Sequence, residues 1–190
     1  MDVRDQFPVR KNKQQKQAFR DAVCAYAEHL GYPVSVEKGS FRSHNVVMGD
    51  PENAKYLVTA HYDTCAWMPF PNFIMPCNVV AFALHQIALW VGIILVSSLL
   101  GAFSGVLIGK WAVSLVSCMT LFAIIWLMIA GPANPSNCND NTSGVVTLLE
   151  ILRTMPENQR SKVCFVLFDL EEAGLIGSSS YRKAHKKASD

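Results

Sequence analysis

At 190 residues the chain is long enough for one domain with a real core, and it is 51% hydrophobic but only 17% charged. The net charge of +2 is too small for a nucleic-acid binder, and no basic stripe interleaves with aromatics. The mean hydropathy of +0.20 is high for a soluble protein, and the excess is local: from Val79 to Ala130 the only formally charged side chain is Lys110.

Met1 to Arg20 is hydrophilic, without the apolar stretch of a cleavable export signal. Residues 12–30 place Ala18, Phe19, Ala22, Val23, Tyr26, Ala27 and Leu30 on one helical face, and Gly31 reads as the stop. Short β-rich runs follow at Pro33–Val36, Asn45–Gly49 and Tyr56–Ala60, punctuated by Gly39-Ser40 and Gly49-Asp50-Pro51. The last run is continuously apolar rather than alternating, which predicts a strand buried on both faces. A loop with Pro69, Pro71 and Pro76 leads to two apolar stretches, Val79–Leu100 and Val106–Ala130. As helices at 1.5 Å per residue each runs about 33–38 Å, enough to cross a bilayer. Gly101–Gly105 is the expected turn, with Gly109-Lys110 the alternative. A two-helix hairpin returns both flanks to one side, which without an export signal is the cytoplasm.

Gly131-Pro132 closes the insert. Residues 142–154 predict a helix with Val145, Val146, Leu148, Leu149 and Leu152 on its apolar face, Lys162–Phe168 a buried strand, and Ala173–Lys187 a helix that is basic towards its end. The expected fold is α/β, a three-layer sandwich with a mixed sheet incomplete at the C-terminus, formed by residues 1–78 and 131–190 and interrupted by a transmembrane hairpin over 79–130. The six cysteines show no C-x-x-C spacing, which argues against a disulfide framework or a structural zinc and fits a reducing compartment.

Three polar stretches stand beside the apolar runs. His61-Tyr62-Asp63 follows the third strand, where open α/β sheets bind ligands. A neutral imidazole is a good zinc ligand and usually donates its other N–H to a carboxylate, the role open to Asp63. A surface histidine and a turn aspartate explain the same spacing. Asn139-Asp140-Asn141 precedes a helix, so Asp140 is either a carboxylate shared by cations or part of an N-cap in which it or Thr142 satisfies free N–H groups. Glu171-Glu172 follows the strand ending at Phe168-Asp169. Adjacent acids there repel and gain nothing from packing, whereas beside a cation one can ligate while the other takes a proton from water. Gly174 and Gly177-Ser178 would let the backbone pass close to such a site. His29, His44 and His85 read as helix-end, loop and helix-packing residues, Lys183, Lys186 and Lys187 as a solvated face with contact to anionic lipid as the alternative, and His185 and Asp190 match no motif.

The order and context of these stretches resemble the co-catalytic zinc exopeptidases of the bacterial leucyl aminopeptidase and glutamate carboxypeptidase type. The likeness runs through Tyr56–Thr64, Asn139–Val145 and Phe165–Ser178. It implies that His61 binds one zinc and Asp63 orients it, that Asp140 bridges two zincs, that Glu172 ligates the other, and that Glu171 is the general base and later the acid. It also implies a cis peptide at Asp140–Asn141 and a peptide or peptide-like amide as substrate. The chain departs from the family in two ways. Between Asp63 and Asp140 lie 76 residues, far more than the family uses, and the hairpin accounts for the excess. The family's further aspartate and histidine ligands would fall beyond Asp190, so a missing C-terminal segment or a second subunit is expected to complete the site. The lipid bilayer is the other expected partner. Two rivals stay open: an inactive, truncated chain of the same fold serving as scaffold or subunit, and a non-enzymatic hairpin protein whose acidic loops bind cations.

Overall fold

The chain divides into two compact units, Met1–Cys65 with Ala133–Asp190, and Ala66–Pro132. The structure, a computed structural model, describes residues 1–68 and 77–186. The prolines at 69, 71 and 76, Lys187 and Asp190 lie outside the described residues.

In the first unit α1 (Val3–Gln6), α2 (Lys13–His29), β1 (Val34–Lys38), β2 (His44–Met48) and β3 (Tyr56–His61) come first. The second unit holds α3 (Val79–Leu107) and α4 (Trp111–Ala130). The chain then returns to the first unit with α5 (Ser143–Thr154), α6 (Glu157–Arg160), β4 (Val163–Phe168) and α7 (Ile176–Ala184). Among the described residues this makes seven helices and a mixed four-stranded sheet, an α/β fold. The strand order is β1-β2-β4-β3, with β3 parallel to β4 and the other pairs antiparallel.

Local chemistry explains the elements. Asn12 and Gln15 form a capping box that starts α2, and Gly31 ends the turn after it at φ +85°. Phe19, Val23 and Ala27 of α2, with Val145, Leu148 and Leu152 of α5, pack on Val46, Met48, Phe165 and Leu167 of the sheet. Each of these side chains except the smaller Ala27 contributes roughly 1.5–3 kcal/mol on burial. Val47, Cys164 and Val166 point the other way, towards Tyr181 of α7.

In the first unit the structure corrects three sequence-based expectations. β4 is the strand buried on both faces, whereas β3 lies at the end of the strand order, with Tyr56 56% and Leu57 48% exposed. An apolar run alone does not distinguish a central strand from an outer one. Val146 is also exposed, because α5 buries the narrower face of Val145, Leu148, Leu149 and Leu152. The helix expected from Ala173 begins only at Ile176, because Gly174 and Leu175 adopt positive φ.

At the end of α7, His185 joins two acids. Its Nε2 lies 3.0 Å from Glu37 and its Nδ1 3.2 Å from Glu52, and its ring packs on Tyr181 at 4.4 Å. Burial disfavours the imidazolium, but hydrogen bonds to Glu37 and Glu52 outweigh it and raise the His185 pKa. A raised folded-state pKa gives stability that is full below about pH 6.5 and is lost as pH rises through the raised value. Wild type is therefore expected to lose roughly 0.5–1 kcal/mol relative to His185→Gln between about pH 6 and pH 9, a small figure because Glu52 is solvated. Thermal unfolding of both proteins across that range checks it; parallel curves would show that the contact is not charged.

In the second unit α3 and α4 have mean hydropathies of 2.3 and 2.4 over windows only 6% buried, and both are long and apolar enough to cross a membrane. This suggests membrane association. The helices meet along Ile93, Ser97, Gly101 and Ser104. A Cβ at Gly101 would overlap the Ser117 side chain and the Val113 carbonyl. Ser97 and Ser104 donate their hydroxyls to the Ile93 and Gly101 carbonyls, at 2.8 and 2.6 Å. Gly101–Gly105 is thus helical and serves close packing. The turn is at Ile108–Lys110, where Gly109 has φ +127°.

Candidate metal centre

The parallel pairing of β3 and β4 sets His61 opposite Phe168, so two of the polar stretches leave the sheet side by side. Tyr62 N–H donates to the Phe168 carbonyl at 3.0 Å and carries the pairing one residue further. Asp63, buried to 3% exposure, then spans the gap. Its two carboxylate oxygens accept from the backbone N–H groups of Glu171, at 3.2 Å, and Glu172, at 3.1 Å. Burial works against its charge, yet the close contact with the His61 ring, the charge of Lys16 and the Glu172 N–H hold its pKa below the usual range. Asp63 therefore fixes the two glutamates and the histidine at once.

Asp140 arrives from the other side of the insert. Cys138–Thr142 form a wide turn whose Asp140–Asn141 peptide bond is cis, the isomer that the resemblance implies. Asn141 Nδ2 donates to the His61 carbonyl at 3.1 Å, tying this turn to the end of β3. Thr142, one of the two N-cap candidates, makes no cap hydrogen bond to α5. Its hydroxyl donates instead to Asn137 Oδ1 at 2.6 Å and accepts from Arg10 at 2.9 Å.

Arg10 is the hub behind these loops. Fully buried, it donates to the carbonyls of Tyr62 and Phe7, both at 2.6 Å, and lies over the Phe19 ring. Lys16 and Asp169 form a second buried connection at 2.6 Å, and Asp169 also accepts from His44 N–H at 3.1 Å. Arg10, Lys16 and Asp169 were not singled out in the sequence. Inside the polar segment Arg10–Arg20 a buried cation cannot be told from a solvated one, and only the absence of any acid between Asp5 and Asp21 sets the segment apart.

His61, Asp140 and Glu172 converge, with one ligand atom from each lying within 4.8 Å of the others. His61 Nε2 is 3.3 Å from Asp140 Oδ1. Bonds of 2.0–2.1 Å to a tetrahedral zinc would space two ligand atoms by about 3.3 Å. On the far side of the ring, Nδ1 is buried, makes no hydrogen bond of good geometry, and lies 3.4 Å from Asp63. An imidazole so placed offers Nε2 to a cation and its other nitrogen to Asp63. These donors fit zinc, which takes imidazole nitrogen and carboxylate oxygen.

The electrostatics agree with a cation site. Burial disfavours protonation of His61, but its contacts with Asp140 and Asp63 overcome this and push its pKa up to about 10. Burial and the charge of Asp140 push Glu172 up to about 7. The cluster holds protons where its negative charges converge, and a divalent cation competes for the same lone pairs.

Glu171 stands apart from the converging group. One carboxylate oxygen accepts from Ser178 N–H at 2.7 Å and the other from the Ser178 hydroxyl at 2.9 Å. The sequence had marked Gly177-Ser178 only for close backbone passage, and the serine hydroxyl's role was missed. Close passage does occur, since a Cβ at Gly177 would overlap the Asp169 backbone. Cys65 accepts weakly from Asn134 Nδ2 at 3.7 Å, and all six cysteines are free thiols.

Residues 129–190 match the model of Peptidase family M28. The matched stretch contains Asp140, Glu171 and Glu172, while His61 and Asp63 precede it. The match supports a metallopeptidase-type function. Comparison with curated proteins and with solved structures gives no match.

Proposed function

We propose that the chain is a membrane-anchored zinc metallopeptidase of the exopeptidase type, hydrolysing peptide or amide bonds. The observation that carries this reading is the convergence of His61, Asp140 and Glu172, from three separate segments, on one point. His61 and Glu172 would hold different zincs, and Asp140 would bridge them. When bound, the zinc pair supplies Lewis acidity to the scissile carbonyl and to water. Glu171, positioned by Ser178, accepts the proton from that water and returns it to the leaving amine. Asp63 does not touch the reacting atoms; it is a positioning residue that sets the His61 ring and the backbone of both glutamates. Any further ligand of the pair would be a side chain other than these three.

The catalytic unit is an α/β sandwich facing the cytoplasm, and the two apolar helices anchor it as a transmembrane hairpin. The test is zinc content and hydrolysis of aminoacyl-nitroanilides by the detergent-solubilised protein. Chelation should abolish cleavage, zinc should restore it, and Asp140→Ala should lose both metals together. Wild-type zinc content in Asp140→Ala would remove the aspartate from the site. A wild-type protein that neither retains zinc nor cleaves would favour a scaffold.

A further inference from the structure

The sheet end that carries the candidate metal centre carries a second feature. β2 runs antiparallel to β4, so the β1–β2 turn lies at the end where β3 and β4 finish. Between this turn and α2 is a cleft of about 670 Å³. Lys13, Lys16 and Arg20 line it from successive turns of one α2 face, and Lys38 and Arg42 line it from the turn. Asp169 is the one acid among the lining residues, and Lys16 already holds it at 2.6 Å. The cleft is therefore strongly cationic although the whole chain carries only +2.

Phe41 stands at its rim, 83% exposed. Phe41 and Arg42 have φ of +52° and +61°, a region that bulky residues rarely enter. The turn is pinned by Gly39 N–H to the Ser43 carbonyl at 2.9 Å and by Ser40 N–H to Ser180 Oγ at 3.0 Å. The fold thus holds an aromatic ring outward in a strained backbone rather than letting it collapse onto the surface. An exposed ring among lysines and arginines suits a phospholipid surface, where the ring enters the acyl boundary and the cations meet phosphates.

Chain connectivity points to the same partner. The first unit breaks after Cys65 and resumes at Ala133, and Asn134 N–H donates to the Cys65 carbonyl at 3.0 Å. The insert carrying both apolar helices therefore leaves and re-enters this unit two residues beyond Asp63, at the sheet end that bears the cleft. We infer that the cationic cleft between α2 and the β1–β2 turn, with Phe41 at its rim, docks on the anionic phospholipid face of the bilayer that the chain's own helices enter. This rests on the membrane anchoring proposed above. Tethering makes docking effectively intramolecular, so weak contacts per headgroup suffice.

The test is hydrogen exchange of residues 38–43 in the full chain, reconstituted into nanodiscs of phosphatidylcholine alone or with about 30% phosphatidylglycerol. The anionic discs are expected to slow exchange of this segment about threefold or more, and about 0.5 M salt should remove the effect. Phe41→Ser and the pair Lys38→Glu with Arg42→Glu should abolish the slowing while leaving zinc content unchanged, which serves as the folding control. Equal exchange in both discs would overturn docking and leave anchoring intact. Protection reproduced in neutral discs by soluble glycerol phosphate would overturn it too, by showing a pocket for free phosphate. Failure to enter either disc would overturn the anchoring and the docking with it.

Discussion

Replacing Glu171 with glutamine is expected to lower kcat about a thousandfold while zinc content stays at the wild-type level. Glutamine has the shape of glutamate, and its amide can still accept one hydrogen bond from Ser178 and donate another to the Ser178 hydroxyl. The loop held by Asp63 therefore keeps its place. What is lost is the ability to take a proton from water. The ligand atoms that converge belong to His61, Asp140 and Glu172, so metal should remain. Steady-state kinetics with metal analysis separates the roles. If zinc disappears with activity, Glu171 is a ligand and its assignment as base is wrong.

Gly177→Ala should be the most damaging single-methyl substitution in the first unit, costing about 3 kcal/mol or more. The added carbon would overlap backbone atoms of Asp169, and the nearby Asn45 side chain cannot give way freely. Asn45 donates to the Gly177 carbonyl at 2.9 Å and accepts from Asp169 N–H at 3.1 Å. Relief requires α7 to move away from the end of β4, which carries Ser178 and hence Glu171 with it. Gly174→Ala is the control. Its φ is +114°, but an added Cβ meets nothing within 4 Å, so only backbone strain is added, about 1–2 kcal/mol. Thermal unfolding should show the larger drop for Gly177→Ala, together with lower zinc occupancy. Equal drops would mean that the close approach is not rigid.

The polar stretches were legible because they lie where apolar runs stop, and the sheet pairing that joins them follows from two runs of similar length and composition. Less visible was what holds them. Arg10, Asn137 and Thr142 support the loops through buried hydrogen bonds between positions more than fifty residues apart, and no local pattern announces such a bond. The outer position of β3 was hidden because Tyr56-Leu57-Val58 is as apolar as the central β4. The turn of the apolar pair was misplaced for a different reason: Gly101 and Gly105 serve helix packing, while only Gly109 has a positive φ. The cationic cleft was invisible because its charges come from α2 and the β1–β2 turn, each an ordinary basic segment when read alone.

The most direct test of the central claim is anomalous diffraction at the zinc edge from the metal-loaded protein. Two peaks are predicted about 3.5–4 Å apart, with the Asp140 carboxylate between them. His61 Nε2 should lie about 2.0–2.1 Å from one zinc, and a Glu172 oxygen about 2.0–2.2 Å from the other. Zinc bound elsewhere, or a peak that touches Glu171 and leaves Asp140 free, would contradict the account.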